Sequence, residues 1–577
     1  MGSFFVVSKD QGNRAANALE KSRAHFARTG FSSPITFEDD AYTLDYYGKI
    51  QYDAKNYHVF ENGDFAVANG TFIYKGKIGA DALKAFADEN DHETQLRNTR
   101  GHFVVIIRKS GRTRLYRDPL GAHDVFLTQD GRCATSSFIA AASVSERLTV
   151  SPQECYEYVF NGCTLGNETP FAEIRRLDLF ESAELSPRIA LSRRQQSLLP
   201  DENGQSRAEL VTQNLHGLLQ YTSDLVGLFG SNVKVALSGG YDSRFLLALF
   251  RKCGITPHLF VYGGSNDEDV LAAKRIGEAE GIEINHVDKS HLKDVTPEEF
   301  PEIVESIFLR DDCMSSGGIF SNGGEQIARV QRNAGGALHV NGGGGEVYRN
   351  FFNLFDRSLT PRQFVWTFYT QYDPADCAGG FTQRGYEDAV SAKVKALFGT
   401  NGNSLSRRQV EALYPYFRCR SWFGRENSVN SRYGYSVLPF FDYQTVHEAL
   451  QIPVGYKKFG DFEAALIRQT DPSLARHMSL YGFDFTNDAP ARARLNDTLT
   501  YMRPPYLRGM TYRLKSRLGS PETRPPLHTE PYLRGIIDTS FPYMSKYFDV
   551  AKVKADIQFA RICTLEYLFA RFNPQAL

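Results

Sequence analysis

The 577-residue chain reads as an α/β protein, with a mostly antiparallel sheet domain followed by a parallel-sheet α/β domain that carries a helical extension. Three observations predict this. Residues 1–200 are dense in short alternating stretches such as FFVVS, FAVANGTFIYKG and HFVVIIRKSGRTRLYRD, broken by Gly, Asn and Asp turns. From about 205 strands alternate with helical patterns, as βαβ units require. Beyond about 350 helical spacing dominates. The expected domains are therefore 1–200 and 205–577.

The elements of the second part follow in order. AELVTQNLHGLLQYTSDLVGLF is a helix, and VKVALSGGYDSRFLLALF (233–250) is a strand, a glycine turn and a helix in succession. Next come the strand HLFVY, a helix from Asp267 to Glu280 and the strand IEINHVD. The apolar run ALHV then leads into GGGG at 342–345. The proline-rich basic stretch 501–526 reads as a long loop with one short helix and a solvated basic surface.

Composition narrows the function classes. Hydrophobic residues make up 42% of the chain, enough for real cores. Net charge is -1 and pI about 6.9, so no global field favours nucleic acid, an anionic membrane or an acidic substrate. No nucleic-acid or membrane partner is expected. The eight cysteines show neither CxxC nor zinc spacing, which suits reduced thiols in a cytoplasmic protein. MGSFFVVSKDQG lacks a charged leader, and the apolar run FLLALF is far below the ~20 residues of a membrane helix.

SGGYDS is the segment that carries chemistry. A glycine turn between a buried strand and a helix start presents backbone N–H groups, and Ser238 and Ser243 add hydroxyls, so phosphate is the expected guest. The pattern SGGxDS arises by chance about once in a thousand chains of this length. In this setting it resembles the pyrophosphate loop of ATP pyrophosphatases. SNDEDVLAA with Ser265, Asp267, Glu268 and Ala272, HVNGGGGEVY (339–348), LPFFDYQTVHEALQIPVGYK (438–457) and LRNTRGHFVVIIRKSGRTRLYRDPLGAHDVF are together similar to the asparagine synthetase family, over nearly the whole chain.

The resemblance implies an N-terminal glutaminase-like domain of Ntn-hydrolase type and a C-terminal ATP pyrophosphatase domain. It implies ATP and Mg²⁺ as cofactors, adenylation of a carboxylate with release of pyrophosphate, and transfer of the acyl group to an amine. The implied nucleotide-binding set is Leu237, Ser238, Gly239, Gly240, Asp242, Ser243, Tyr262, Gly263, Gly343 and Gly344. Asp242 and Glu346 are the implied metal ligands. Lys457 or Lys458 is the implied lysine for the leaving pyrophosphate. Tyr348 and Glu426 are the implied dyad for the amine step, with Glu346 the remaining acid of the loop.

Three departures qualify the likeness. Position 2 is Gly and position 3 Ser where the family has its nucleophilic Cys, and the first cysteine is Cys133, so glutamine hydrolysis by that route is not expected. A Ser3 nucleophile, exposed only by unusual processing, is the weaker alternative. Gly342 and Gly345 stand where the family has acids. Tyr435 and Val437 stand where synthetases that make asparagine have Glu and Arg, which points to a different substrate. The leading expectation is an AMP-forming amide ligase that joins a small-molecule or peptide carboxylate to an amine not drawn from glutamine, with a homodimer compatible. An intramolecular cyclase like the β-lactam or lasso-peptide branches and an ATP-binding pseudoenzyme scaffold are the alternatives.

Overall fold

The structure, a computed structural model, describes residues 2–575 apart from 11, 187–188, 195–196, 202–203, 292–293 and 519–522. In the first part, the period-two alternation builds two six-stranded antiparallel sheets. One runs through Ile174–Arg176, Phe126–Thr128, Cys133–Thr135, Ser3–Ser8, Tyr42–Tyr47 and Ile35–Glu38. The other runs through Ala190–Arg193, Glu181–Glu184, Arg112–Arg117, Phe103–Lys109, Phe65–Gly70 and Tyr57–Val59. Val6 pairs with Leu44 and Ile106 with Leu115, so one face of each sheet packs into a shared core with Phe4 and Val67. Each such side chain contributes about 2 kcal/mol by leaving water. Phe26 of the helix Asn13–Thr29 and Leu83 and Phe86 of the helix Gly79–Ala87 cover the outer faces, giving four layers.

The second part holds a five-stranded parallel sheet. Its strands are β1 (Val233–Ala236), β2 (His258–Tyr262), β3 (Ile284–Val287), β4 (Leu338–Val340) and β5 (Tyr435–Val437), in the order β3-β2-β1-β4-β5. The sequence pattern anticipates the first four; β5 was expected only as part of a helical region, because three residues carry too little period to register. Helix α1 (Tyr241–Lys252) follows β1 and buries Phe245, Leu246, Leu249 and Phe250. Helix α2 (Glu268–Glu280) starts one residue later than expected, with Asp267 at its N-cap. Further on lie α3 (Arg425–Tyr433), α4 (Asp461–Thr470), α5 (Ala491–Met502), α6 (Pro505–Leu518) and α7 (Asp556–Phe572).

The loop expected at 501–526 is corrected by α6, while α5 lies almost wholly in the region expected to be helical. Pro505 sits at the first position of α6, where the missing N–H costs nothing, and LRGMTYRLKSRL is a good helix former. Residues 519–522 of that stretch lie outside those described.

The largest apolar core draws on both parts of the chain, with Phe138, Tyr158 and Phe171 packed in one cluster with Phe245, Phe308 and Phe569. Asp442 just past β5 accepts hydrogen bonds from Arg100 and from the Gly101 N–H. Helix α7 returns to the first part: Phe569 meets Phe171 at 5.8 Å, and Arg561 donates to the Val159 carbonyl 402 residues away. Val150 and Gln575 also pair through their backbones. Among the described residues no helix is long and apolar enough to cross a membrane. All eight cysteines are free thiols.

Candidate functional site: the crevice between two glycine turns

The sheet order reverses at β1, since the chain leaves β1 for β2 on one side and later returns to β4 on the other. In open parallel sheets the crevice past the carboxyl ends of two such strands is where ligands bind. Both glycine turns of the sequence end there. Val233, Val235 and Leu237 anchor β1 in the core, and the chain turns through Ser238–Gly240 into α1, whose start has no side-chain cap. The N–H groups of its first turn therefore have no intrahelical acceptor and carry the positive end of the helix dipole.

The turn braces itself. Ser243 Oγ accepts from the Ser238 N–H at 2.9 Å and lies 3.0 Å from Ser238 Oγ, which accepts from the Gly240 N–H at 3.3 Å. Asp269 of α2 accepts from the Gly239 N–H at 3.0 Å, so one amide already holds an internal anion. Gly239 itself is buried, and a Cβ there would meet Leu480 at 2.6 Å.

The second turn closes on the first. A Cβ at Gly345 would stand 2.0 Å from Asp242 Oδ1, and one at Gly342 would lie 3.1 Å from Asp242 Cβ. The two glycines that replace expected acids are thus the positions that face Asp242. Gly345→Ala should force Asp242 and its partners apart, lowering stability by about 1–3 kcal/mol, read as a fall in thermal midpoint. An unchanged midpoint would show that the turns do not meet this closely.

Three carboxylates converge on one guanidinium. Arg349 Nη2 donates to both oxygens of Asp242 at 3.1 and 3.0 Å. Its Nε lies 3.0 Å from Glu463 Oε2 of α4, and its Nη2 lies 3.6 Å from Glu346 Oε1. The other Glu346 oxygen accepts from the Tyr414 hydroxyl. Glu463 is fully buried, and no donor is directed at either of its oxygens. Burial, with Asp242 adding to it, pushes the Glu463 carboxyl well above its usual range. Burial also raises Asp242, to about 6, against the pull of Arg349. Of the two acids, Glu463 is therefore the one that keeps a proton more readily. Burial opposes the charge on Arg349, and the three acids outweigh it, holding the guanidinium firmly cationic. Beside this cluster opens a cavity of about 690 Å³ whose walls include Tyr241, Glu346, Arg349, Asn350, Tyr481 and Tyr501.

The implied Mg²⁺ does not fit this donor set. The space between Asp242 and Glu346 is taken by the Arg349 guanidinium. Among the described residues no group of three or more His, Cys, Asp or Glu is placed to hold a metal ion. The expected lysine is also elsewhere: Lys457 is buried with its amine 3.4 Å from Glu411, and burial lowers its pKa. Lys458 is half-buried in the turn before α4. Tyr348 and Glu426 are not brought together. Tyr348 is wholly buried, stacked on Phe462 at 6.1 Å, whereas Glu426 is held by Arg329 at 3.2 Å.

The remaining expected ligands frame the crevice from the sheet. Leu237 is core, its N–H on the Phe260 carbonyl. Tyr262 at the end of β2 accepts from Arg332 at 2.7 Å, and Gly263 at φ 138 packs on Asp267. Gly343 and Gly344 lie tight against Phe423 and Phe441. Tyr435 and Val437 are buried in β5. Sequence reasoning missed Arg349, Glu463, Tyr414 and Asp269. Arg349 was within reach, three residues past Glu346 on the same turn, while Glu463 comes from a helix more than a hundred residues away.

In the first part, Gly2 is wedged where a Cβ would meet Phe31 at 2.3 Å and the Gly48 carbonyl at 2.7 Å. Ser3 is fully buried, its hydroxyl 2.6 Å from Ser136 Oγ, so in the unprocessed chain it is no exposed nucleophile. Cys133 is buried, and burial pushes its thiol up to about 12. The protein should release no ammonia from glutamine, and Gly2→Cys should destabilise the fold instead of creating glutaminase activity. Ammonia release by that variant would overturn the geometry around Gly2.

No family model and no curated protein matches the sequence. Among solved structures, the chain is similar to the glutamine phosphoribosylpyrophosphate (PRPP) amidotransferase from B. subtilis complexed with ADP and GMP, at 10% identity and a TM-score of 0.23, over 50% of this chain and 65% of that one. It is similar also to a structure of the allosteric regulatory enzyme of purine biosynthesis, at 11% identity and a TM-score of 0.23, over 50% of this chain and 65% of that one. Each match spans less than two thirds of the solved chain, and a TM-score this low carries no argument about function.

Proposed function

We propose that the protein is an ATP-dependent amide-forming ligase, built of a degenerate glutaminase-like unit (1–200) and a synthetase unit (205–577), that works in the cytoplasm without glutamine. The observation that carries this reading is the meeting of two glycine turns on Asp242 at the switch point of the parallel sheet. The uncapped start of α1 supports a seat for phosphate oxygens, and the cavity beside Glu346 supports a seat for the acid. A substrate carboxylate oxygen would attack the α-phosphorus as the bond to pyrophosphate breaks. An amine would then attack the acyl carbon, the bond to AMP would break, and the amine proton would pass to a base. Glu346 is the acid at the cavity wall, so it is our candidate for that base. Charge on the departing phosphates would be met by helix N–H groups and Arg349. No step is assigned to Mg²⁺.

Two observations favour a second reading, a nucleotide-binding scaffold without turnover: Arg349 is locked among three acids, and Lys457 is turned to Glu411. Incubation with ATP, a carboxylate pool and amines separates the two. AMP and pyrophosphate in equal amounts support the ligase, and their appearance without added amine marks the cyclase. ADP as the product rules out adenylation. Nucleotide binding with no pyrophosphate exchange supports the scaffold.

A further inference from the structure

The helices α5 and α6 present an apolar ridge to solvent that the site does not use. Leu495, Leu499 and Met502 on α5 are 59%, 57% and 63% exposed, and Tyr506, Met510, Leu514 and Leu518 on α6 are 50%, 51%, 58% and 78% exposed. They recur at intervals of three or four residues, so they fall on one face of each helix. Single exposed apolar residues are ordinary, whereas seven large ones on one face of each of two successive helices mark a surface that is covered in use.

The charge carried by the two helices is mostly of one sign. Arg503 and Lys515 are exposed along the ridge, Arg517 is paired with Asp373 at 2.7 Å, and the acid on the two helices is Asp497, which faces the 690 Å³ cavity on the inner side of α5. This local excess stands out in a chain of net charge -1. The surface that covers the ridge is therefore anionic. It also has to accept a ridge and not fill a groove, because these side chains line neither the 690 Å³ cavity nor the clefts of about 450 and 920 Å³ elsewhere. A bilayer takes a ridge of Leu, Met and Tyr edged with Arg and Lys directly, and the basic excess of these helices matches an anionic lipid surface.

We propose that the outward face of Ala491–Met502 and Pro505–Leu518 docks the protein reversibly on an anionic membrane surface. This amends the expectation of no membrane partner, which rested on global charge alone. It does not depend on the ligase reading. Because Asn496, Asp497 and Tyr501 on the inner face of α5 wall the cavity, docking brings its mouth close to the lipid surface.

Co-sedimentation of the full chain tests this, using vesicles of phosphatidylcholine alone or with a quarter of phosphatidylglycerol. Binding is expected to the mixed vesicles and to be about tenfold weaker to phosphatidylcholine alone. High salt should weaken it further. Met510→Asp with Leu514→Asp should reduce binding about tenfold with no change in thermal midpoint, since both side chains are exposed. Absence of binding to the anionic vesicles overturns the proposal, as does binding that the double variant leaves intact. Binding to polyglutamate but not to vesicles, or a dimer that the same variant dissolves without any vesicle binding, would assign the ridge to a protein partner and overturn it equally.

Discussion

Asp242→Asn should abolish AMP-forming turnover, with a loss of about a thousandfold or more, while leaving the fold intact. The carboxylate does its work through Arg349. Both of its oxygens accept from one guanidinium nitrogen, and this contact fixes the cation at the crevice mouth beside the start of α1. A fixed cation aimed at developing negative charge is worth about a hundredfold to a thousandfold, because it need not reorganise when the leaving group departs. An amide at 242 keeps the shape and removes the charge, so Arg349 is drawn toward Glu463 and Glu346, away from the phosphates. AMP release under saturating ATP measures the effect, and a thermal midpoint close to that of the unaltered protein separates it from unfolding. Near-normal turnover in this variant would end the ligase reading.

Removal of the guanidinium has the other large effect. Arg349→Ala leaves Asp242, Glu346 and Glu463 facing one another with no counter-ion, a situation that costs about 3–5 kcal/mol where the charges are buried. The cost depends on pH in a definite direction. Asp242 and Glu463 both titrate above their ordinary values, so the folded protein holds protons that the unfolded chain gives up. Their contribution to stability is complete below the unfolded carboxyl values; that of Asp242 is lost as pH rises through about 6, and that of Glu463 as pH rises well above the usual carboxyl range. The variant should therefore be much less stable than the unaltered protein at pH 8 and closer to it at pH 5. Glu463→Gln, introduced into the same variant, should restore much of the loss at pH 8. Thermal melts at the two pH values read both effects. A penalty that does not change with pH would show that the acids carry no proton.

Much of the fold was legible because its signals are local. SGGYDS between a buried strand and an amphipathic helix announced β1, the turn and α1 together, and the alternating runs announced the sheets of the first part. β5 was not legible, since Tyr435–Val437 is three residues long and is held by pairing with β4. Helix α6 was hidden by Pro504 and Pro505, read as loop signals, although the second proline occupies the one helical position that tolerates it. The site was legible at its glycines and at Asp242, which lie in two short motifs. Its charge balance was not. A family pattern suggests a metal wherever two acids meet, and only the fold reveals that Arg349 lies between them and that Glu463 arrives from α4. Lys457 and Tyr348 show the converse: the right residue type near the right motif, with its side chain turned into the interior.

The return of α7 onto the first part has a consequence for how the chain is made. Arg561 and Phe569 cap surfaces around Val159 and Phe171 that leave the ribosome some four hundred residues earlier. At about 5–20 residues per second, those apolar surfaces wait tens of seconds for their cover. The first part therefore completes its packing only once the residues of α7 have been made.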